Sequence, residues 1–328
     1  MTTEKKRKST GRGPCGKKRK ITRKIHVQTL PELIQFCNIY KTNHMDSAQI
    51  RELGIALSAL EDMKGLEHVK KSIMGQILYY LQEPTTDDYL HTVITGDAGS
   101  GKTHFAEILA NIYLQFGRSN KSGNVVKVYS KDLIDRYCGG TANLTENAVK
   151  SAFGGILLID DAYSISGKSE SLSQFSKEYV DTLNHCLSEY KKDFICIIVG
   201  YTDSLDENLF ALNQGLRRRF SWTYNLDSGN FTNTLKDIFE SQTIRAGWSL
   251  ADDAIPDGFF NKNHSAFIDS GCSTEILLLK CKIAHSVRVF GSYFSRQITR
   301  DDLLQGFESY KLGVIIEQPF SQPFGMYI

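Results

Sequence analysis

The chain has 328 residues, 41% hydrophobic and 23% charged, the composition of a globular protein with room for about two domains. No apolar run approaches the roughly 18 residues of a membrane span, and the basic N-terminus lacks the apolar stretch of a secretory signal. The net charge of +2 conceals an asymmetry: residues 1–25 carry eleven Lys/Arg against one acid, a net +10, which leaves −8 on the remainder.

In chain order, residues 1–25 read as a disordered basic arm, because they have high charge, no aromatic residue and no apolar periodicity. The clusters Lys5-Lys6-Arg7-Lys8 and Lys17-Lys18-Arg19-Lys20 fit a nuclear-localisation signal, a phosphate-contacting nucleic-acid arm (residues 5–24) or a solubilising tail. Composition does not separate these three. Residues 26–63 read as a helical segment. One helix is expected over 29–43, with Leu33, Phe36 and Tyr40 on one face, and a second from Asp46 or Ser47 to about Met63. Gly65-Leu66-Glu67 opens a third helix, which ends before Pro84.

An alternating α/β region is expected over 64–227. Its strands fall at 91–96, 124–130, 155–160, 194–201 and 221–226, with helices at 102–117, 144–153, 172–190 and 204–213. The Ile, Leu and Val runs show no polar alternation, so the strands are covered on both faces and the sheet is parallel and five-stranded. From residue 228 the strand signal stops. Helices near 230–245, 256–268, 273–291 and 299–311 predict an all-helical lid over 228–312, with Thr299 and Asp302 as a capping box. The tail, 313–328, carries prolines and aromatics suited to docking on a neighbour or to remaining loose. The seven cysteines are scattered, form no C-x-x-C pair and show no metal-ligand spacing with the eight histidines. That usage suits a reducing compartment, nucleus or cytoplasm.

The most informative octet is Gly96-Asp97-Ala98-Gly99-Ser100-Gly101-Lys102-Thr103, which satisfies G-x-x-x-x-G-K-[ST] at each fixed position. A β-branched run precedes it and an amphipathic helix follows it, so backbone N–H groups and a helix N-terminus converge on one point. Such a cradle binds a di- or triphosphate. Lys102 would reach the β/γ oxygens and the Thr103 hydroxyl would ligate Mg²⁺. Residues 154–163, Gly-Gly-Ile-Leu-Leu-Ile-Asp-Asp-Ala-Tyr, add a buried strand that ends in two acids, a Walker B pattern. Asp160 would hold Mg²⁺ through water, and Asp161 would orient or deprotonate the attacking water.

With these motifs in place, residues 60–290 resemble the AAA+ ATPases, and within them the CbbX/SpoVK branch that includes red-type rubisco activases. Gly65-Leu66-Glu67-His68-Val69-Lys70 resembles that branch's opening motif. Asp132 to Thr141 resembles its first pore loop, with Tyr137 as the gripping aromatic. Asp160-Asp161-Ala162-Tyr163 stands where the family has Asp-Glu-Ala-Tyr, and Val199-Gly200-Tyr201 resembles its sensor-1 strand. Asn213-Gln214-Gly215-Leu216-Arg217-Arg218-Arg219-Phe220 resembles its arginine-finger segment, which makes Arg219 the first candidate and Arg218 the second. Related proteins also occur in large eukaryotic DNA viruses.

The resemblance implies an ATP- and Mg²⁺-dependent hydrolase that assembles as a homo-oligomeric ring, a hexamer, and remodels a protein client at a central pore. Three features depart from the family. Asp161 is one methylene shorter than the usual Glu, and a carboxylate misplaced by about 1 Å can cost on the order of 100-fold in rate. Tyr201, with Thr202 or Asp203 beyond it, occupies the sensor-1 position. The segment Gly271-Cys272-Ser273-Thr274 lacks the expected sensor-2 arginine, and Arg288 lies farther along the same helix. Two alternatives follow: an ATP-gated scaffold with little turnover, and a nucleic-acid motor or loader that uses the basic arm.

Overall fold

The computed structural model describes residues 27–39, 47–82, 88–115, 123–135, 139–162, 170–227, 231–291 and 295–317. The basic arm, Tyr137 and the tail beyond Glu317 lie outside the described residues.

Three helices lead into the sheet: α1 (Leu30–Ile39), α2 (Ser47–Asp62) and α3 (Glu67–Gln82). Their apolar stripes, among them Leu33, Leu53, Leu57, Leu60, Ile73 and Ile77, are buried in one cluster with the helix that follows the first strand. The sheet consists of β1 (Thr92–Thr95), β2 (Val125–Tyr129), β3 (Ile156–Asp160), β4 (Ile195–Gly200) and β5 (Trp222–Asn225). Their order is β2-β3-β4-β1-β5 and all pairings are parallel, as the unalternating apolar runs predict. Between strands run α4 (Lys102–Gln115), α5 (Gly140–Ser151) and α6 (Glu170–Glu189).

Successive strand residues point to opposite faces. Ile94, Ile156, Leu158, Ile197 and Val199 therefore join the core beneath α1–α4. Val93, Leu157, Ile159, Cys196 and Ile198 join a second core, with Val149 of α5 and Tyr179, Leu183 and Cys186 of α6. Each fully buried aliphatic side chain of β3 contributes on the order of 1.5–3 kcal/mol. That double burial holds the strand's C-terminal acid at a defined height. The edge strand β2 is only partly covered, and its Lys127 is tolerated for that reason.

Several boundaries differ from the sequence expectation. Helix α5 begins at Gly140, four residues early, because Gly139 takes a left-handed φ of 81° that turns the chain into the helix. The helix expected over 204–213 is a single turn, α7 (Thr202–Leu205), continued by a π-helical turn over Asp206–Phe210. A further short turn, α8 (Gln214–Arg217), is capped by Asn213, whose Oδ1 accepts from the Gly215 N–H at 2.8 Å.

The C-terminal region is helical, as expected, with α9 (Phe231–Arg245), α11 (Ser270–Val289) and α12 (Arg300–Glu317) around an aromatic core of Phe239, Phe259, Phe260, Phe267 and Phe307. The helix expected over 256–268 is instead a single turn, α10 (Phe259–Lys262), followed by a 3₁₀ turn at His264–Ala266. Gly258, with a left-handed φ of 67°, starts the turn, and the carbonyl of its first residue, Phe259, accepts from both the N–H and the Nδ2 of Asn263 at 3.2 and 2.8 Å. A two-residue parallel pair, β6 (Ser249–Leu250) with β7 (Gln297–Ile298), lies outside the expectation that strands stop at 228. Two residues are too few to show a period.

Candidate functional site

The site lies at the C-terminal ends of β1 and β3, where an open parallel α/β sheet presents its crevice. Strand β1 delivers the chain into Gly96–Gly101, and α4 begins at Lys102. Gly99 has φ +71°, and a Cβ there would lie 2.0 Å from the Asp269 carbonyl oxygen. The loop therefore needs glycine at this point, both for its turn and because the lid approaches so closely. Gly99 O accepts from the Gly271 N–H at 3.3 Å, and Gln242 Nε2 donates to Gly271 O at 2.8 Å. Asp97 N–H donates to Asp227 Oδ1, which ties the start of the loop to the segment after β5. The expected phosphate-binding octet is thus clamped between β5 and the lid.

Lys102 folds back on the loop. Its Nζ donates to the carbonyls of Gly96 at 2.8 Å and Asp97 at 2.7 Å and sits 4.4 Å from the centre of the Tyr201 ring. Burial lowers its basicity, partly countered by Asp227, Asp97, Asp161 and Asp160. The ammonium is thereby held at the mouth of the loop. Tyr201, the residue expected at the sensor-1 position, is half-buried and presents its ring face to this lysine.

Thr103 and Asp160 meet across the gap between α4 and β3: the hydroxyl donates to Asp160 Oδ2 at 3.1 Å. Asp160 is 5% exposed. Lys127 Nζ, projecting from β2, lies 3.4 Å from its Oδ2 and donates to Glu107 Oε1 at 2.9 Å. Asp161 is exposed and adopts φ 51°, a left-handed conformation sparsely used by residues other than glycine. Its N–H donates back to Asp160 Oδ1 at 3.1 Å. This turn sends the two neighbouring carboxylates in different directions, one into the protein and one outward.

Among the described residues no group of three or more His, Cys, Asp or Glu is arranged to hold a metal ion. The donor set is one hydroxyl and one carboxylate beside an anion cradle. It fits Mg²⁺, which takes one or two protein oxygens and completes its shell with phosphate and water. A cleft of about 320 Å³ adjoins the loop, lined by Met63, Leu66, Gly99, His104, Ile238 and Gln242 among others. Met63, Leu66 and Ile238 give it apolar surface, set among polar groups that include Asp62, Lys64, Gln242 and Arg245, so a flat heterocycle would find both packing and hydrogen-bond partners there.

The three arginines before β5 have different surroundings. Arg217 is ion-paired with Asp206 and lies over the Phe210 ring. Arg218 is exposed at the end of α8. Arg219 is half-buried, and its Nε has no hydrogen-bond partner among the described residues. Arg288 is held by Asp302, with Nε to Oδ1 at 2.8 Å and Nη2 to Oδ2 at 2.9 Å, about 25 Å along α11 from Gly271. It is a lid-bracing residue. Sequence reasoning missed Lys127, Asp227 and Gln242, because each approaches the site from a remote segment.

The profile described as "ATPase family associated with various cellular activities (AAA)" matches residues 92–226. The cfxQ-like protein R730 of Acanthamoeba polyphaga mimivirus is 34% identical over 299 residues, covering 88% of this chain and 73% of that protein. Stage V sporulation protein K of Bacillus subtilis is 31% identical over 52% of this chain, which spans about half (53%) of that protein's length. Protein CbbX of Cereibacter sphaeroides is 34% identical over 40% of this chain and 42% of its own length. The crystal structure of the FIGL-1 AAA domain superposes with a TM-score of 0.54 at 15% identity, covering 84% of this chain and 95% of that one, a likeness of fold. The chain belongs to the AAA ATPase family and has relatives named CfxQ, SpoVK and CbbX. No helix among the described residues is long and apolar enough to cross a membrane.

Proposed function

We propose that this protein binds Mg²⁺-ATP in the Gly96–Thr103 loop and hydrolyses it to ADP and phosphate, coupling turnover to the remodelling of a protein client within a homo-oligomeric ring, a hexamer. The observation that carries the reading is the convergence of Lys102, Thr103 and Asp160 beside the loop, with Asp161 turned outward. Lys102 would exchange its two carbonyl acceptors for phosphate oxygens. Thr103 and Asp160 would hold Mg²⁺, which when bound neutralises charge developing on the β- and γ-phosphate oxygens. Asp161 would take the proton of the attacking water as its oxygen bonds to the γ-phosphorus and the bond to the β-phosphate oxygen breaks. Arg219 or Arg218 would serve the site of the neighbouring copy, and Tyr137 would grip the client.

The deciding measurement is phosphate release from Mg²⁺-ATP across protein concentrations, with Lys102→Ala as the blank. A rate per subunit that rises with concentration is expected. A flat rate at the level of the blank, with ATP still bound, would sink the hydrolase reading and favour the ATP-gated scaffold that Asp161 also fits. If the basic arm serves a nucleic-acid motor, DNA or RNA should stimulate turnover and removal of residues 1–25 should abolish the stimulation. If the arm is a nuclear address, removal should leave turnover intact and shift the protein from nucleus to cytoplasm.

A further inference from the structure

The acid at the end of β3 already has a cation beside it. Lys127 Nζ stands 3.4 Å from Asp160 Oδ2, on the carboxylate oxygen to which Thr103 donates its shorter hydrogen bond. It arrives from the edge strand β2, where parallel pairing sets Lys127 opposite Leu158 and Tyr129 opposite Asp160. A lysine reaching along its own strand therefore comes alongside the terminal carboxylate of the next. About a third of its side chain (31%) is exposed, against 7% for Asp160. Its second partner, Glu107 on α4, is 48% exposed.

A buried carboxylate without a compensating charge is costly. Asp160 needs a counter-ion whenever Mg²⁺ is absent, and Lys127 is placed to be one. The Glu107 carboxylate at 2.9 Å gives the ammonium a solvent-facing partner that it keeps when it leaves Asp160. The flexible lysine stem makes that departure easy.

We infer that Lys127 is a built-in competitor for the metal: its ammonium occupies Asp160 in the nucleotide-free protein and must yield when Mg²⁺-nucleotide binds, which raises the Mg²⁺ concentration the site requires. The inference rests on the proposed role of Asp160 toward Mg²⁺. Lys127 is a positioning residue, acting through Asp160 and touching no reacting atom. A bare Asp160 would draw Mg²⁺ at lower concentration, at the expense of the metal-free state. The lysine thus makes occupancy of the site responsive to free Mg²⁺ and separates the empty state from the loaded one.

The test reads binding, not turnover. A fluorescent ATP analogue at fixed concentration and ionic strength is titrated with Mg²⁺ from an EDTA-treated start, using wild type, Lys127→Met and Lys127→Arg. Lys127→Met keeps the length and apolar stem at a partly exposed edge position and removes the charge. It is expected to lower the Mg²⁺ midpoint by roughly three- to tenfold, the scale of one unit charge removed at the edge of a half-solvated site. Lys127→Arg is expected to stay within about twofold of wild type. An unchanged or raised midpoint for Lys127→Met overturns the inference, and so does an arginine variant that shifts as far as the methionine. If wild type binds the analogue with no Mg²⁺ dependence, the metal reading of Asp160 falls first, and the inference with it.

Discussion

Thr103 and Asp160 are 57 residues apart in the chain, and the hydroxyl of one donates to the carboxylate of the other at 3.1 Å. The contact joins the first turn of α4 to the last residue of β3. Its formation requires only that β1 and β3 lie in the same parallel sheet with β4 between them, since their C-terminal ends then face the same edge. Both oxygens are thereby brought to one point beside the loop, where Lys127 Nζ also lies 3.4 Å from Asp160 Oδ2.

Asp161 is the residue on which turnover depends in our reading. Asp161→Asn is expected to lower phosphate release at least about 100-fold, the usual scale of general-base loss, and to leave nucleotide affinity within about twofold. Asp161→Glu, which lengthens the side chain by one methylene to the Asp-Glu-Ala-Tyr pattern that this segment resembles, is expected to raise the rate. Single-turnover hydrolysis with parallel binding titrations separates the two effects. An Asn variant that turns over like wild type would remove Asp161 from the catalytic role.

Gly99 couples the loop to the lid. In Gly99→Ala the new Cβ would lie 2.0 Å from Asp269 O at a φ of +71°. A left-handed alanine alone costs about 1–2 kcal/mol. The start of α11 must move as well, so nucleotide affinity is expected to fall by more than about tenfold, with a lower unfolding midpoint. Calorimetric titration with ADP and a thermal melt measure both. A variant that binds like wild type would mean that the lid contact is not part of the site.

His91 predicts a pH dependence of stability. It is 1% exposed, its Nδ1 accepts from the Cys196 N–H at 3.0 Å, and burial pushes its pKa down to about 3. The folded protein holds the ring neutral, while the unfolded chain protonates it below about pH 6.5. Its contribution is therefore complete above that pH and is lost progressively as pH falls toward 3, by up to about 1.4 kcal/mol per unit. His91→Gln, which keeps an acceptor without a titrating ring, is expected to flatten the stability profile between pH 6.5 and 5 in urea unfolding. An unchanged slope would show that other groups set the profile.

Asp302 has the opposite surroundings. Its carboxylate, 1% exposed, takes both Arg288 donors and the Thr299 N–H and hydroxyl, each of the latter at 2.9 Å. Burial raises its pKa, but these donors outweigh that effect and hold it down at about 2. The ionised form is favoured on folding, so this contribution is full above the unfolded value near 3.8 and fades as pH falls through 2. Asp302→Ala is expected to cost about 1–3 kcal/mol at pH 7, because it removes the acceptor of the Thr299 N–H just before α12 and the ion pair to Arg288, which is 39% exposed and can rehydrate. The gap to wild type should narrow below pH 4, and chemical denaturation at pH 7 and pH 3 measures it. A gap of equal size at both would assign the loss to packing.

Much of the Gly96–Thr103 loop and the sheet was legible because it is written in short, local patterns. The octet 96–103 and the run 154–161 each pack a strand, a turn and their polar ends into about ten residues, and the unalternating strands announced a covered parallel sheet. Where a pattern depended on a single residue, reading failed. The expected helix over 256–268 is interrupted at Gly258, whose left-handed φ of 67° leaves only the short turn α10, and β6 and β7 have no period to detect. Arg288 was legible as a lid arginine but not as the partner of Asp302, since the pairing needs α11 and α12 laid side by side.

By itself, then, the sequence determined the class of the protein: the glycine-rich loop Gly96–Thr103 between a strand and a helix, a strand ending in Asp160 and Asp161, a five-stranded parallel sheet and a helical C-terminal region. These depend on residues that are neighbours in the chain, whose backbone preferences and burial periods act over a few positions. Only the tertiary structure decided what surrounds that machinery: Lys127 beside Asp160, Asp227 on the Asp97 N–H, the lid backbone against Gly99, and Arg217 committed to Asp206 while Arg219 keeps an unpaired Nε. Each of those is a meeting of remote segments, and the register of strands and the packing of helices set the distance.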